Sequence, residues 1–591
     1  MIRLLNIQVL SDEYERKAEQ NVVKLQEIVP PRGNLYNRYG DIYVSSRPMF
    51  NMYISKNKLH IPDTAVLRNL LGLTQAEIEE KIANAHSYKE TEFARYIDPE
   101  TYGALQEKMW SFRGITFTNT NKRYYRSPVG AHILGHIKEV SQKEIEQSDH
   151  AYKSGDLIGS SGIERSHDST LRGKQGIKRI IKDVHQRIVG SYAGGKYDVD
   201  PIRGKDIMLG IDTDLQAFGE HIMQNKRGSI VAIEPSSGEI LAFVSAPSYN
   251  PSMLTGRDLR NNYRELKRDT LKPLLNRPLS ARYPPGSIFK LPVALAALNE
   301  DIITDHTIYH CGGGFGRNRG KPGCRFHVTP LALDNAIRYS CNAYFAATYW
   351  DFLHSPKFSD IYEAYDRWYK YMNELGVGVK TSVDIPYEPM VKLPSHELYD
   401  KIYGQNRWQA STIISLSIGQ GEILMTPLQM ANMVTIIANR GKYIPPHFVR
   451  ATREKPDDLL NSGQPRDPWI KVPYDTTYTS IAGEHYESVI DAMELVVANG
   501  TARRAFIPEA DVVGKTGTVQ NPHGEDHAVF VGFAPKDNPR IAIAVVIENA
   551  GGGGSWAAPT ASLMIEHYLR GGEIEAKKWE LERILNANFI D

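Results

Sequence analysis

The sequence predicts an α+β, multidomain chain: an N-terminal mixed pedestal domain, then a domain whose antiparallel sheet is flanked by helices. Three observations carry this. The 591 residues are enough for two or more domains and a large core. The polar, mixed character of the first part changes near residue 206. Beyond that point strand hairpins stand early and late with helices between, which requires a sheet closed by segments distant in sequence. The expected division is 1–205 for the pedestal, 206–575 for the second domain and 576–591 for a C-terminal tail.

Taken in order, "SDEYERKAEQN" reads as a helix with Ser11 as N-cap and Glu13 to Lys17 as an i,i+4 pair. "VPPRGNLYNRYGDIYVSS" carries Pro and Gly among alternating β-formers and reads as turn and strand. "TQAEIEEKIANAH" is an amphipathic helix capped by Thr74. "GSSGIERSHDSTLRGKQG" is helical between glycine-rich ends, and "IKRIIKDVHQRIVGSY" alternates like an extended hairpin strand. In the second domain "DIMLGIDTDLQAFGEHIM" is strand then helix, and "GSIVAIEPSSGEILAFVSAPSYNP" is a hairpin around a Pro-Ser-Ser-Gly turn. "HAVFVGFAP" and "RIAIAVVIENAGGGG" are strands joined by "KDNP". Glycines 551 to 554 read as a flexible loop rather than a substrate contact.

Composition narrows the function. With 70 Lys and Arg against 69 Asp and Glu, the chain has no basic excess and no nucleic-acid partner is expected. No apolar run approaches the roughly 18 residues that span a bilayer. "MIRLLNIQVL" is too short to span and lacks a signal-peptide cleavage pattern. Three cysteines, an odd number, leave one thiol over from any disulfide framework.

"RYPPGSIFKLP" places Ser287 at a helix start, where free N–H groups favour an oxyanion, with Lys290 one turn on. A serine hydroxyl needs a base, and a lysine serves if burial or a neighbouring cation lowers its pKa from about 10.4 towards 7. S-x-x-K alone is weak, since "SKNK" at Ser55 matches it too. "YSCNAYF" adds Ser340 and Asn342, and "GKTGT" adds Lys515, Thr516, Gly517 and Thr518. These follow Ser287 in order, at intervals of 53 and then 175 residues.

S-x-x-K, S-D-N and K-T-G in that order are the signature of serine β-lactamases and penicillin-binding proteins, and this set matches it except for Cys341 in place of the central Asp. The chain resembles the class B penicillin-binding proteins, most of all their elongation-type transpeptidases, nearly end to end. "PPRGNLYNRYG", "SPVGAHILGHI" and "GSSGIERSHDSTLRG" resemble that family's pedestal. "GIDTDLQ", "YPPGSIFK", "SIGQGEILMTPLQMAN", "GKTGT" and "ENAGGGGSWAAP" resemble its penicillin-binding domain. Two departures stand out: Asn37 where the family usually has Asp, and Cys341 at the centre of the second motif.

The resemblance implies a D,D-transpeptidase that acylates Ser287 with a peptidoglycan stem peptide and is inhibited by β-lactams. Lys290 is then the general base. Ser340 and Asn342 relay protons and position it, Lys515 and Thr516 bind the terminal carboxylate, and the N–H groups of Ser287 and Thr518 form the oxyanion hole. Gly517 leaves the strand edge bare. No cofactor is required for the chemistry. Expected partners are a SEDS-family glycosyltransferase and elongation-complex scaffold proteins. The expected location is the periplasmic side of the bacterial inner membrane, with the family's N-terminal anchor helix absent from this chain.

Cys311 and Cys324 lie 13 residues apart, His327 follows three residues later, and Cys341 lies 14 beyond that. Cys₃His is a structural zinc set, and some relatives hold a metal with a ligand from the middle of the second motif. A structural Zn²⁺ on Cys311, Cys324, His327 and Cys341, a Cys311–Cys324 disulfide, and free thiols all stay open, as does His310 in place of His327. Three further functions compete with the elongation enzyme: a septal transpeptidase, a β-lactamase or β-lactam sensor, and a non-enzymatic scaffold. No acidic motif stands ready to activate water for hydrolysis.

Overall fold

The structure, a computed structural model, describes residues 23–87, 89–148, 151–182, 188–454 and 467–590. The helix expected around Ser11, and the N-terminal "MIRLLNIQVL", lie outside these residues. No helix among the described residues is long and apolar enough to cross a membrane.

The pedestal is built on one long strand. Ile42–Ile54 pairs antiparallel with Ile115–Tyr125 and with Thr91–Ile97. Helices Thr64–Leu71 and Gln75–Ala83 bury Leu67, Leu71 and Ile78 in a core shared with Met52, Ile54 and Phe93. Thr74 caps the second helix as expected: its hydroxyl accepts from the Glu77 N–H while Glu77 reaches back to the Thr74 N–H. Gly176–Lys182 and Ile188–Ser191 form the expected hairpin, with Val23–Ile28 on its other edge.

The family-like stretches of the pedestal converge on a buried ion cluster. Arg32 lies 2.9 Å from Glu164 and 2.8 Å from Asp168, and Arg123 lies 2.5 Å from Glu164. Asn37 is buried with its amide fully used. Its Nδ2 donates to Asp41 Oδ2 and Thr213 Oγ1, each at 3.1 Å, and its Oδ1 accepts from the N–H groups of Tyr39 and Asp41. An aspartate could make only the second pair.

The change of character near residue 206 falls inside a sheet that both parts share. Asp206–Leu209 pairs parallel with Leu35–Tyr36 of the pedestal and antiparallel with Val449–Arg453. Buried Asp206 accepts from the Asn34 N–H at 2.7 Å and faces Arg453 at 3.2 Å.

The larger domain carries a five-stranded antiparallel sheet. Its strands are β1 (Gly228–Ile233), β2 (Ile240–Ala246), β3 (Val513–Val519), β4 (His527–Ala534) and β5 (Ile541–Ile547), in spatial order β2-β1-β5-β4-β3. The early hairpin and the late strands thus meet at β1 and β5, with Gly228 opposite Ile547. Every residue of β1, β2 and β5 is buried, so both faces of the sheet are covered. Six helices matter below: α1 (Thr213–Ile222), α2 (Lys290–Asn299), α3 (Asn342–Leu353), α4 (Pro427–Ala438), α5 (Gly483–Asn499) and α6 (Ala557–Leu569). Helices α4 and α6 both pack on β5, and α1 packs on β2 and α6. Helix α2 is buried along its length except for its last residue, because apolar residues surround it on all sides. The tail is docked: helix Lys578–Leu585 buries Ile584 beside α6, and Lys226 Nζ donates to the Ala587 carbonyl at 3.2 Å.

Candidate active site

Ser287 lies in a 3₁₀ turn, Gly286–Phe289, that runs directly into α2. The turn is fixed on two sides. Tyr283 and Met425 exchange backbone hydrogen bonds at 2.9 Å, and the Gly286 N–H donates to the Gly419 carbonyl at 2.9 Å. Gly286 has φ +59°, which needs glycine, and β3 passes close by. A Cβ on Gly517 would stand 3.0 Å from the Pro285 carbonyl. The serine turn therefore abuts the third motif, and half-buried Ser287 opens into a cleft of about 540 Å³ between them.

Lys290 is fully buried, and its three bonds all reach the second motif. Nζ lies 2.6 Å from Asn342 Oδ1, 2.7 Å from the Ser340 carbonyl and 3.1 Å from Ser340 Oγ. Lys515, also buried, donates to the same Ser340 Oγ at 2.9 Å and to the Thr516 carbonyl at 3.1 Å. Ser340 adopts φ +58° in the turn that leads to α3. One hydroxyl thus sits between two amines. Burial pushes Lys290 down to about 7, against the opposing pull of Cys341 and Cys324. Burial, with the nearby Lys290 charge, holds Lys515 well below the ordinary lysine range. Two ammonium groups on one buried oxygen repel, so both amines are not readily protonated together, and with its pKa near 7 Lys290 is partly neutral near neutral pH.

The rest of the third motif lines the cleft wall. Thr516 Oγ1 meets Thr501 Oγ1 at 2.7 Å, and Thr518 Oγ1 accepts from the Gly553 N–H at 3.4 Å. The expectation for glycines 551 to 554 changes here. Gly552, Gly553 and Gly554 line the cleft, and a Cβ on Gly553 would lie 2.3 Å from the carbonyls of Gly517 and Val529. Only glycine lets that segment lie against β3. Sequence reasoning also missed Arg325, Gln420 and the Gly500, Thr501, Arg503 and Arg504 segment after α5, which line the cleft as well. A "GTARR" after a helix was the available signal, but nothing in the pattern ties it to a lysine-bearing strand.

The cysteine cluster forms behind the second motif. One ligand atom each from Cys311, Cys324, His327 and Cys341 lies within 4.8 Å of all the others. His327, not His310, joins them. All three thiols are free, so the Cys311–Cys324 disulfide is not formed. The donor set fits zinc in three respects. Cys324 Sγ and Cys341 Sγ are 3.8 Å apart, and a tetrahedron with Zn–S near 2.3 Å has edges of about 3.8 Å. His327 Nδ1 lies 2.9 Å from the Val328 carbonyl, while buried Nε2 has no hydrogen-bond partner among the described residues and keeps its lone pair for a ligand. The Cys341 thiol, against the opposing effect of burial and with help from the Ala343 N–H at 3.1 Å, favours a thiolate and lowers Cys324 to about 4; the Asn342 N–H donates to the same Sγ at 3.1 Å. The loop also reaches the cleft directly: Asn342 Nδ2 donates to the Gly323 carbonyl at 2.7 Å. That bond leaves the amide oxygen turned to Lys290.

Comparison with known proteins agrees with this geometry. A family model described as "Penicillin binding protein transpeptidase domain" matches residues 228–566, and one described as "Penicillin-binding Protein dimerisation domain" matches residues 27–209. The peptidoglycan D,D-transpeptidase MrdA of Acinetobacter baumannii is 31% identical over 94% of this chain and 83% of its own. The crystal structure of Pseudomonas aeruginosa PBP2 in complex with WCK 5153 is similar with a TM-score of 0.66, at 28% identity over 94% of this chain and 99% of that one. A chain from a study of structural coordination of polymerization and crosslinking by a peptidoglycan synthase complex is similar with a TM-score of 0.71. It is 25% identical over 97% of this chain and 96% of its own. The chain belongs to the penicillin-binding protein family, with a transpeptidase domain on a dimerisation-type pedestal, and within it is most like penicillin-binding protein 2.

Proposed function

We propose that Ser287 is the nucleophile of a peptidoglycan D,D-transpeptidase working in cell-wall elongation, with residues 206–575 as its catalytic unit on a 1–205 pedestal. One observation carries the assignment of roles: Ser340 Oγ lies between two buried amines, at 3.1 Å from Lys290 Nζ and 2.9 Å from Lys515 Nζ.

Ser287 Oγ attacks the carbonyl of the penultimate D-Ala of a stem peptide. Its proton passes to neutral Lys290, and the terminal D-Ala leaves as the C–N bond breaks and its nitrogen takes a proton. Ser340 relays protons between the lysines and the leaving nitrogen, while Asn342 holds Lys290 in place. Lys515 and Thr516 bind the terminal carboxylate, and the N–H groups of Ser287 and Thr518 stabilise the tetrahedral oxyanion. The amine of a second stem peptide then attacks the ester, forming the cross-link and returning the proton to Ser287. A β-lactam acylates the same oxygen.

Cys311, Cys324, His327 and Cys341 would hold a structural Zn²⁺. The ion takes no part in the reaction; it would anchor the loop whose Gly323 carbonyl orients Asn342. Metal analysis of purified protein tests this, and less than about a tenth of an equivalent of zinc refutes it. The likeness to a chain from a peptidoglycan synthase complex supports a glycan-polymerising partner of the SEDS class. Elongation-complex scaffold proteins and a position on the periplasmic side of the inner membrane belong to the same reading.

The deciding experiment is mass spectrometry after treatment with penicillin. One covalent adduct on Ser287, absent from Ser287→Ala, is the expected result. An adduct elsewhere, or one that survives the substitution, overturns the assignment. Release of the adduct within seconds would instead favour a β-lactamase.

A further inference from the structure

Two of the thiols behind the second motif are placed to react with each other. Cys324 Sγ and Cys341 Sγ are 3.8 Å apart, and both are free. A disulfide holds its sulfurs about 2.0 Å apart, so this pair must close by about 1.8 Å. Cys341 is the fixed member. It is 1% exposed, its Sγ caps α3 by accepting from the Tyr344 N–H at 3.3 Å, and the adjacent Ser340 carbonyl is held by Lys290 at 2.7 Å. Cys324 is the accessible and movable member. It is half-buried on a loop, and its neighbours Gly323, Arg325 and Phe326 are all exposed.

The same loop reaches the catalytic groups. Cys324 Sγ accepts from the N–H groups of Asn342 and Ala343, each at 3.1 Å. The Gly323 carbonyl beside it accepts from Asn342 Nδ2 at 2.7 Å, and that bond leaves Asn342 Oδ1 at 2.6 Å from Lys290 Nζ. A movement of Cys324 onto Cys341 therefore draws the Gly323 carbonyl away from the amide that orients the lysine.

From this geometry we infer that Cys324 and Cys341 are a site of reversible oxidation: they join as a disulfide when the cluster carries no metal, and the bond slows acylation of Ser287 by releasing the Asn342 amide. The oxidant is another disulfide, on a small molecule or a protein. The Cys324 thiolate attacks its S–S bond and expels one thiol. Cys341 then gives up its proton and attacks the Cys324 sulfur of the mixed disulfide, expelling the second thiol. The two cysteines lose two electrons and two protons, and the oxidant's disulfide is reduced to two thiols. A bound Zn²⁺ excludes this reaction, since it takes both sulfurs as ligands. Occupancy of the cluster thus decides whether oxidation can reach the cleft. The acylation readout rests on Ser287 being the nucleophile; the thiol chemistry does not.

The test uses the full chain, freed of metal with a chelator and then treated with oxidised glutathione. Two thiols should be lost, and a peptide cross-linked through Cys324 and Cys341 should appear under non-reducing conditions. Acylation of Ser287 by a fluorescent penicillin should slow about tenfold, the loss expected for one charge-assisted hydrogen bond, and recover in dithiothreitol. Cys311→Ser should still form the bond, and Cys324→Ser should show no oxidant-dependent change in labelling. Zinc-loaded protein should resist the oxidant. A Cys311–Cys324 bond, or no bond at all, overturns the proposal. So does a Cys324–Cys341 bond that leaves the rate of acylation unchanged, or an oxidant effect that persists in Cys324→Ser. Labelling absent from reduced and oxidised protein alike would refute Ser287 as nucleophile, and the cross-linked peptide alone would then decide the thiol pair.

Discussion

Replacing Asn342 with aspartate puts a carboxylate oxygen where Oδ1 now stands, 2.6 Å from buried Lys290 Nζ. At an effective dielectric of about 20, two unit charges at that distance attract by about 6 kcal/mol. Burying the new carboxylate, which also meets the Gly323 carbonyl, offsets roughly half of this. A net of about 3 kcal/mol raises Lys290 by about 2 pKa units. With the lysine now near 7, about half of it is neutral at pH 7; with a pKa near 9, only about 1% is. Acylation of Ser287 by a fluorescent penicillin should therefore slow about 50-fold at pH 7 and recover towards pH 9 to 10. Asn342→Ala works in the opposite direction. It removes an acceptor that stabilises the charged form, so the acylation profile should shift to lower pH, with a lower plateau because the amine is less well held. The assay is the second-order acylation rate from pH 5 to 10 for the three proteins. If both variants keep the parent's apparent pKa, Lys290 is not the titrating base.

Three further outcomes follow from packing and charge. Gly553→Ala forces a Cβ to within 2.3 Å of two β3–β4 carbonyls, so penicillin acylation should fall at least tenfold with about 1–3 kcal/mol lost in denaturant unfolding. Asn37→Asp replaces two donors with an acceptor facing Asp41, at a cost of about 1–3 kcal/mol. The introduced carboxyl is charged near pH 7, so the loss in melting temperature should be full there. It should shrink as pH falls and the introduced group protonates. Glu164→Gln leaves Arg32 and Arg123 without their shared buried charge and should cost about 3–5 kcal/mol in denaturant unfolding. A loss under 1 kcal/mol would show that the cluster is not needed for stability.

Local features were legible because their causes are local. Thr74 and Glu77 are three residues apart, so a capping box can be read directly from the pattern. The Pro-Ser-Ser-Gly turn forces the β1–β2 hairpin because its strands are adjacent in the chain. The cluster of Cys311, Cys324, His327 and Cys341 was legible through chemistry, since thiol and imidazole groups within 31 residues form a recognisable donor set. Other features had no local cause. Gly553 looked like a mobile glycine until β3 was seen against it. Thr501, Arg503 and Arg325 carry no periodicity that marks a cleft. The pairing of Asp206–Leu209 with Leu35–Tyr36 joins strands about 170 residues apart, and short strands of that kind carry little register information.

What the sequence determined by itself was the inventory: a serine at a helix start, a lysine one turn on, two further motifs in order, and three thiols with an imidazole close to them in the chain. The tertiary structure decided how that inventory is wired. Lys290 spends all three bonds on the second motif, Ser340 is shared with Lys515, and the Gly323 carbonyl turns the Asn342 amide. These choices depend on which groups are excluded from water together. A lysine's pKa falls only when its surroundings remove solvent, and the groups that do so here come from segments up to 225 residues away, at Lys515.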